Sequence, residues 1–423
     1  MKIKLSVLIQ ILIAAGAVFC LGNNVQAENS FLTNASNPGV TGYDWPNYRG
    51  TDHNGIYSED DFDAAKLSKN AVLWKKNIGT GYSAPSIFQG KLFVIGHEKP
   101  NDVIRCLDAK TGNEFWNFKY KSSTAYDYPG PRASPTYHDG KVYTLGRDGD
   151  LYCLNADTGK EIWSTDITSH GARNLGWDFS TSVLIYDNMA IVNAAKYGLA
   201  FNKDTGKVIW KSPQGVGGYA SPVRFTFKGK EYLAMFGEKD LYTVELKTGK
   251  LWWDFKWKTS YQVNAGDPLI FDNKMFVATG YGVGCALYDF SGGKPEQLWK
   301  NRNVISHFHS FIYYKNRIFA VSGDAGNSRT SAFRCINPAD GKVVWEKRLG
   351  FAGVMLADDK FILLNESGQV YIFEASTSSY KEIANAEFDS GTYWTAPVMS
   401  RGLLYIRSKE GLLTCIDLSD QVS

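Results

Sequence analysis

Short apolar runs separated by turn residues recur along most of the chain. Residues 92–95 and 142–145 each follow a glycine turn, and a polar loop and a second apolar run come after each. Runs of this length between Gly, Asn and Asp residues predict short β-strands. Little helical periodicity occurs outside the first residues, so the pattern predicts an all-β protein.

The predicted strands fall into repeats that end on a glycine turn and a tryptophan. Residues 108–116, 157–163 and 204–210 share a Gly followed within a few positions by Trp, and later units repeat the motif more loosely. The tryptophans are spaced by 42 to 47 residues at Trp116, Trp163, Trp210, Trp252, Trp299 and Trp345. Repeats of this length with four strands each are typical of β-propeller blades.

The two ends of the repeat region complete each other. The last repeat stops after its third strand at residues 412–417, and residues 72–78 stand before the first repeat as an isolated fourth strand. Pairing these two segments closes a ring and leaves no exposed sheet edge. The sequence therefore predicts an eight-bladed β-propeller of four-stranded blades over residues 71–423.

The N-terminus has the pattern of an export signal. Lys2 and Lys4 precede an apolar stretch, and a small-residue cleavage site ends at Ala27. We predict a signal peptide over residues 1–27, a leader and linker over 28–70, and a periplasmic or secreted protein with no membrane span after cleavage. The alternatives are an uncleaved anchor and a lipoprotein carrying its lipid on Cys20, against which the bulky Phe19 argues.

The charge balance argues against several classes of partner. Signal cleavage removes two lysines, so the net charge falls from +3 to +1, and no long run of one sign occurs. We expect no nucleic-acid partner and no polybasic membrane patch, and we expect a monomer.

The remaining cysteines recur at comparable strand positions, which favours buried free thiols over disulfides. Metal binding is disfavoured because equivalent positions lie in separate blades and no Cys-x-x-Cys occurs. These cysteines are Cys106, Cys153, Cys285, Cys335 and Cys415.

Candidate binding residues come just before the first strand of each blade, at one mouth of the central channel. The set is Tyr82, Arg132, Trp177, Asp178, Tyr219, Asn264, His307, His309 and Trp394, with Asp267 and Tyr393 beside it. Loops on the same face add His97, Asp148, Lys196, Glu238, Tyr281 and Asp324. Such a funnel suits a sugar, a quinone or a peptide segment, and the alternative is that these groups only hydrate the mouth.

We predict neither catalytic nor metal-binding residues in this funnel. His307 and His309 alternate along the chain, so on a strand they would point to opposite sides. No Gly-x-Ser-x-Gly element is present. The leader around Trp45 has two interpretations, packing across the propeller rim or docking a partner, and residues 29–41 are expected to be a linker.

The repeats resemble those of pyrroloquinoline-quinone (PQQ) enzymes, whose tryptophan-docking pattern is Asp-x-x-Thr-Gly-x-x-x-Trp. The resemblance covers residues 73–417, and the leader at 44–50 looks like that of exported PQQ-like propeller proteins. This group is similar to the propeller lipoprotein of the outer-membrane barrel-assembly machinery. The resemblance implies the propeller fold.

Quinoprotein dehydrogenases of this kind also carry an adjacent Cys-Cys pair, calcium ligands and an Asp base, and many relatives carry a Cys-x-x-Cys-His haem site. This chain has neither cysteine motif. We therefore expect no resident cofactor and a non-catalytic binding or scaffold module for an envelope protein or glycan. The alternative is an oxidoreductase holding PQQ with calcium, or another quinone, in the funnel.

Overall fold

The computed structural model describes residues 37–123 and 128–420. The predicted signal peptide, Cys20 and the cleavage site after Ala27 lie outside these residues. Within them, the strands form eight propeller blades, each a four-stranded antiparallel core sheet. The prediction of an eight-bladed β-propeller is confirmed.

The first four blades follow one another along the chain, and each begins with its innermost strand. Blade 1 is Ser86–Phe88, Lys91–Glu98, Asn101–Asp108 and Glu114–Lys121. Blade 2 is Thr136–His138, Lys141–Leu145, Asp150–Asn155 and Glu161–Asp166. Blade 3 is Leu184–Tyr186, Met189–Val192, Leu199–Asn202 and Val208–Lys211. Blade 4 is Val223–Phe227, Lys230–Phe236, Asp240–Glu245 and Leu251–Lys256.

The last four blades complete the ring. Blade 5 is Leu269–Phe271, Lys274–Thr279, Gly284–Asp289 and Glu296–Asn301. Blade 6 is Ile312–Tyr314, Arg317–Ser322, Ala332–Ile336 and Val343–Lys347. Blade 7 is Ala352–Ala357, Lys360–Asn365, Gln369–Glu374 and Glu382–Glu387. Blade 8 is Val398–Ser400, Leu403–Arg407, Leu412–Asp417 and the N-terminal strand Val72–Asn77.

A few short elements lie outside the blade cores. Ile56–Tyr57 pairs in parallel with the inner strand of blade 7, and Ala172–Arg173 pairs with Gly215–Val216. Four 3-10 turns are found at Ala64–Lys66, Lys69–Ala71, Ile167–His170 and Ser260–Gln262. None of the helical segments in the described ranges has the length and apolar character needed to cross a bilayer.

Blade 8 closes the ring as the sequence predicts. Lys75 pairs with Thr414 and Asn77 pairs with Leu412 in antiparallel register. A second link joins the same two ends: the buried Arg407 of blade 8 donates hydrogen bonds to the Ile95 carbonyl, 2.9 Å away, and to Ser83 beside blade 1. Sequence-distant strands and side chains therefore lock the first blade to the last.

Each docking tryptophan belongs to an outer strand and lies at the turn between the third and fourth strands of the next blade, which carries a glycine except in blade 7. Trp163 donates from Nε1 to the Lys203 carbonyl at 2.9 Å. Gly206 in that turn has a φ of +69°, and a Cβ there would approach the Trp163 ring to 2.7 Å, so only glycine fits. The same carbonyl bond, 2.8–3.1 Å long, is made by Trp74, Trp116, Trp210, Trp299 and Trp345.

Blade 4 departs from this pattern, and the sequence alignment of its tryptophan was wrong. Trp253, rather than Trp252, pairs with Thr243 at the register position that Trp163 occupies opposite Cys153. The error arose because blade 4 has two consecutive tryptophans. Trp253 is buried, yet its Nε1 has no hydrogen-bond partner among the described residues, and Gly293 in the next blade's turn has nothing near its missing Cβ.

The five described cysteines are buried free thiols, as the repeat positions predict. Burial raises the pKa of Cys106 and Cys153 to about 12 and that of Cys285 and Cys335 to about 11. The thiolate is therefore strongly disfavoured at neutral pH, and these side chains act as small apolar groups between strands.

The leader packs against the inner strands of several blades and crosses the end of the central channel. Trp45 is only 3% exposed and exchanges two backbone hydrogen bonds with Ile87 of blade 1. The Gly55 carbonyl accepts from Leu356 of blade 7, on another part of the ring. Further contacts reach blades 2, 6 and 8 through Tyr137, Phe311 and Arg401. Asn37 already bonds to Tyr137, so the described leader packs along the propeller from its first residue.

Candidate functional site

A cavity of about 310 Å³ occupies the central channel. Seven of the nine predicted residues line it: Tyr82, Arg132, Trp177, Tyr219, His307, His309 and Trp394. They come together because the segments before the inner strands converge on the propeller axis. The other two, Asp178 and Asn264, do not line it.

A collar of hydrogen bonds between blades shapes the cavity wall. The Ser134 hydroxyl accepts from the Ala84 backbone N–H at 3.0 Å, and Ser182 accepts from the Ser134 N–H at 3.0 Å. Ser221 continues the series by accepting from the Ser182 N–H at 3.1 Å. In blades 2, 3 and 4 the serine before the inner strand therefore ties its blade to a neighbouring blade, and these serines line the cavity.

Asp267 takes the place of the serine in blade 5. Its carboxylate accepts from the Ser221 N–H at 2.8 Å, and its own N–H donates to the Ser310 hydroxyl at 3.1 Å. Burial raises the pKa of this carboxyl to about 6, and Arg49, with its Nη1 3.8 Å from Oδ2, opposes that rise. Blade 5 thus contributes a titratable carboxyl to a series of inter-blade hydrogen bonds that serine hydroxyls make in the preceding blades.

One leader residue, Tyr48, lines the cavity, and its neighbour Arg49 lies just outside the lining. Burial raises the pKa of the Tyr48 phenol to about 12. Arg49 is held in place by donating to the Phe311 and Asn54 carbonyls. A second space of only about 30 Å³ lies between these residues and Trp45.

Aromatic rings dominate the mouth. Tyr82 stacks on Trp394 with ring centroids 5.9 Å apart and planes 22° from parallel. Tyr128 lies 5.5 Å from Trp177 and 5.9 Å from Trp394, and Phe308 lies 5.7 Å from Trp394. The mouth therefore presents several ring faces to a ligand.

Arg132 is fixed within this aromatic group by a buried carboxylate. Its Nη1 donates to Asp178 at 3.3 Å, its Nη2 donates to the Tyr128 carbonyl at 3.0 Å, and its guanidinium lies 5.3 Å from the centre of the Tyr82 ring. Asp178 is fully buried with a φ of +65°, an uncommon conformation for a residue other than glycine. Asp178 therefore positions Arg132 without lining the cavity itself, since Arg132 lies between Asp178 and the cavity.

Asn264 has a structural position. Its amide donates to the Gly237 carbonyl at 3.0 Å and to the Trp257 carbonyl at 3.2 Å, and its oxygen accepts from Thr259 at 3.1 Å. These bonds hold the loop that leads into blade 5. The sequence identified the right loop, but the short side chain turns towards the backbone.

The two histidines face the same cavity, contrary to the expectation of opposite sides, because the chain around them is not a strand. His307 Nδ1 accepts from the Ala325 N–H at 3.1 Å, so the proton lies on Nε2, which donates to the Tyr281 hydroxyl at 2.9 Å. His309 is buried with no partner at Nε2 in the described chain, and burial lowers its pKa to about 3. Both rings are therefore neutral at neutral pH.

Several lining residues were absent from the predicted set. Tyr48 comes from the leader, and its place depends on a path across the ring that no local pattern specifies. Tyr128 lies in the loop between blades 1 and 2, whereas Phe308 stands between the two predicted histidines. The collar serines could have been found, since Ser134 and Ser221 each precede a proline at the same repeat position.

Comparisons with known proteins point to one family. The family described as "Outer membrane protein assembly factor BamB" matches residues 100–347. The crystal structure of BamB from Moraxella catarrhalis aligns with a TM-score of 0.58 and 15% identity, covering 83% of this chain and 99% of that one. Quinohemoprotein alcohol dehydrogenase ADHIIG from Pseudomonas putida HK5 aligns with a TM-score of 0.68 and 13% identity, covering 90% and 81%. At these identities the structures share the fold.

Curated relatives match shorter segments. Tetrathionate hydrolase of Acidithiobacillus ferrooxidans is 23% identical over 269 residues, which is 58% of this chain and 50% of that protein. Quinohemoprotein alcohol dehydrogenase of Comamonas testosteroni is 26% identical over 185 residues, which is 40% and 25%. The chain thus aligns with half or less of the length of these relatives.

Proposed function

Because the chain belongs to the family described as outer membrane protein assembly factor BamB, we propose that it is an exported, monomeric, non-catalytic binding propeller. It holds a protein or a glycan of the cell envelope, and the funnel around Arg132 and Trp394 is its binding site. The fold alone does not assign this role, since propellers host many functions.

The observation that carries the proposal is the cavity itself. Its volume of about 310 Å³ is at the lower end of the range of about 300–1,000 Å³ that is usual for ligand sites. Ring faces surround the mouth, while the polar groups are fixed in advance, Arg132 by Asp178 and His307 by Tyr281. Groups already held in one geometry reduce the entropy lost on binding, which favours recognition.

The proposal predicts that substitutions in the funnel abolish capture of an envelope partner. Purified protein is immobilised and incubated with an envelope extract, and the bound protein and glycan fractions are quantified. The variant Arg132→Ala, His309→Ala, Trp394→Ala is expected to lose most of the captured material, because it removes the central cation and two mouth rings.

The matched control is Phe115→Ala. Phe115 is 54% exposed on the outer strand of blade 1, far from the funnel, so its removal leaves capture unchanged. Melting curves of all variants confirm that they are folded. Equal capture by folded wild-type and triple-variant protein would remove the funnel from the proposed function.

An oxidoreductase that binds PQQ is the second candidate. The quinohemoprotein alcohol dehydrogenase named above shares the fold, and stacked rings such as Tyr82 and Trp394 suit a planar ligand. The polar groups fit such a cofactor less well. PQQ is rich in carboxylates, yet Arg132 and Arg49 already face Asp178 and Asp267. Among the described residues, no cluster of three His, Cys, Asp or Glu side chains could hold calcium.

Addition of PQQ and calcium distinguishes the two candidates. We expect no change in melting temperature and no cofactor absorbance that remains with the protein after gel filtration. Stoichiometric retention of the quinone, with a raised melting temperature, would favour the oxidoreductase. Calcium alone and PQQ alone serve as controls.

A further inference from the structure

The charged groups of the cavity occur in opposite pairs. Arg132 contacts Asp178 at 3.3 Å, and Asp267 lies 3.8 Å from Arg49. Both histidines are neutral at neutral pH, since burial lowers the pKa of each ring. A ligand with a net charge would find no uncompensated partner on these walls, so the site selects a neutral molecule.

The serine collar supplies hydroxyl protons that the protein does not use. The hydroxyls of Ser134, Ser182 and Ser221 each accept a backbone N–H, and none donates to an acceptor within the described residues. All three side chains are more than nine-tenths buried and line the cavity. Their oxygens are fixed by the accepted bond, whereas each hydroxyl proton rotates freely about that position.

The His309 ring adds a further polar group without a partner. Its Nε2 is buried and unbonded in the described structure, and the ring lines the cavity. Because Nε2 itself is buried, a ligand bonds to it only after a rotation of the ring, and that bond would offset part of the free energy lost on burial of the atom. The deep wall therefore offers several directional groups, while the mouth offers ring faces.

We propose that the funnel binds one neutral pyranose ring, either a free sugar or the end unit of a glycan; this inference rests on the proposed binding function. A pyranose has an apolar face of C–H groups, which packs on aromatic rings such as Trp394 and Tyr128. Hydroxyls around its edge both donate and accept hydrogen bonds. The collar serines, Asp267 and His309 provide complementary partners at the wall.

The cavity dimensions favour a sugar over a peptide. An extended peptide carries N–H and C=O groups that need a sheet edge or a row of polar partners, and the inner edges of blades 1 and 7 are already bonded to the leader at Trp45 and at Ile56–Tyr57. The leader limits the depth, since Tyr48 forms the floor. A single ring fits this short space, with any further units of the glycan extending out through the mouth.

The experiment titrates the purified protein with neutral saccharides. The probes are maltose, cellobiose, lactose, chitobiose and the methyl glycosides of glucose, galactose, mannose and N-acetylglucosamine, and glucuronate is the anionic comparison. Calorimetry and tryptophan fluorescence both report binding, because Trp177 and Trp394 line the site. We expect at least one neutral probe to bind at millimolar concentration or below, and glucuronate to bind more weakly.

Two substitutions at the mouth test the position of the site. Trp394→Ala is expected to weaken binding at least about tenfold by removing a ring face. Tyr128→Ala does the same at a residue that is 39% exposed, so its removal disturbs the fold little. Phe115→Ala on the outer strand leaves the affinity unchanged.

Three results of the titrations would overturn the inference: no binding by any neutral probe, stronger binding of glucuronate, or equal affinities in the wild-type and mouth variants. The proposed function fails separately, when the funnel variants capture envelope material as well as the wild type does. If capture depends on the funnel but the captured material contains protein and no glycan, the proposed binding function stands and the proposal of a sugar ligand is refuted.

Discussion

At the scale of the residue, Asp267 determines the electrostatics of the channel. Its segment, Gly266-Asp267-Pro268, stands where other blades have Ala-Ser-Pro, so the same backbone position carries a carboxyl instead of a hydroxyl. The side chain is 3% exposed and keeps the collar bond to Ser221. Burial makes its ionised form expensive, and Arg49 offsets only part of this cost.

This carboxyl predicts a pH-dependent difference in stability between the wild type and Asp267→Asn. Its pKa rises from 3.8 to about 6 on folding, so its contribution is fully present below pH 3.8 and is lost as pH rises through about 6. The wild type should lose up to about 3 kcal/mol relative to the variant between pH 4 and 7. Melting temperatures of both proteins at pH 4.5 and 7.5 measure the change. A difference that does not vary with pH would contradict it.

At the scale of the element, the outer strand of every blade except blade 7 carries a docking tryptophan. The ring covers the next glycine turn, and Nε1 bonds to a carbonyl there, so one side chain provides apolar contact and a directed bond. Blade 4 shows that the two contributions are separable. Trp163 and Trp253 are both 8% exposed, but only Trp163 has a described partner for its N–H.

Substitution of these two tryptophans by phenylalanine should therefore have unequal effects. Trp163→Phe removes a buried hydrogen bond, which costs about 1 kcal/mol, while the Lys203 carbonyl keeps its bond from the Tyr143 hydroxyl. Trp253→Phe loses similar ring area and removes a polar atom that has no partner. Denaturant unfolding, read by circular dichroism, should show the larger loss of stability in Trp163→Phe. Equal losses would mean that the bond contributes nothing.

At the scale of the whole molecule, stability depends on the strand Val72–Asn77. It is the outer strand of blade 8 although it comes before blade 1 in the chain. The other outer strands join a blade that is continuous in sequence. A substitution that disrupts one of the other outer strands destabilises the outer edge of a single blade. A substitution that disrupts Val72–Asn77 removes the strand pairing that closes the ring.

Proline substitutions at matched positions test this difference. Lys75 and Asn117 both follow a docking tryptophan, both are exposed, and both pair with the third strand of their blade. Proline disturbs the strand ladder at either site. Lys75→Pro should lower the melting temperature by about 2 °C or more beyond Asn117→Pro, and should expose blade 8 to proteolysis. Similar effects of the two variants would show that closure adds little.

The fold was predictable because each blade repeats a local requirement. A glycine with positive φ and a tryptophan above it mark most units, although blade 7 has neither, and ring closure follows from the strand left over at each end. The one misaligned unit, at Trp252, is the blade whose tryptophan has lost its bond. Because the other blades repeat the motif, the fold could be predicted even though blade 4 departs from it.

The site was predictable only in part, because its residues depend on the path of the chain in three dimensions. The loops before the inner strands placed Arg132, Trp177 and Trp394 at the mouth. Asp178 shares those loops but turns behind the wall. Tyr48 arrives from a leader that crosses the ring, a route set by contacts with several blades at once.

The leader that crosses the ring restricts how a ligand can enter and leave the central channel. Tyr48 and Arg49 lie at one end of the central channel. A molecule bound in the funnel would therefore enter and leave through the mouth at the other end. A partner docked over the mouth would block the exit of a small ligand bound in the funnel. Release of the small ligand and departure of the large one would then occur in a fixed order.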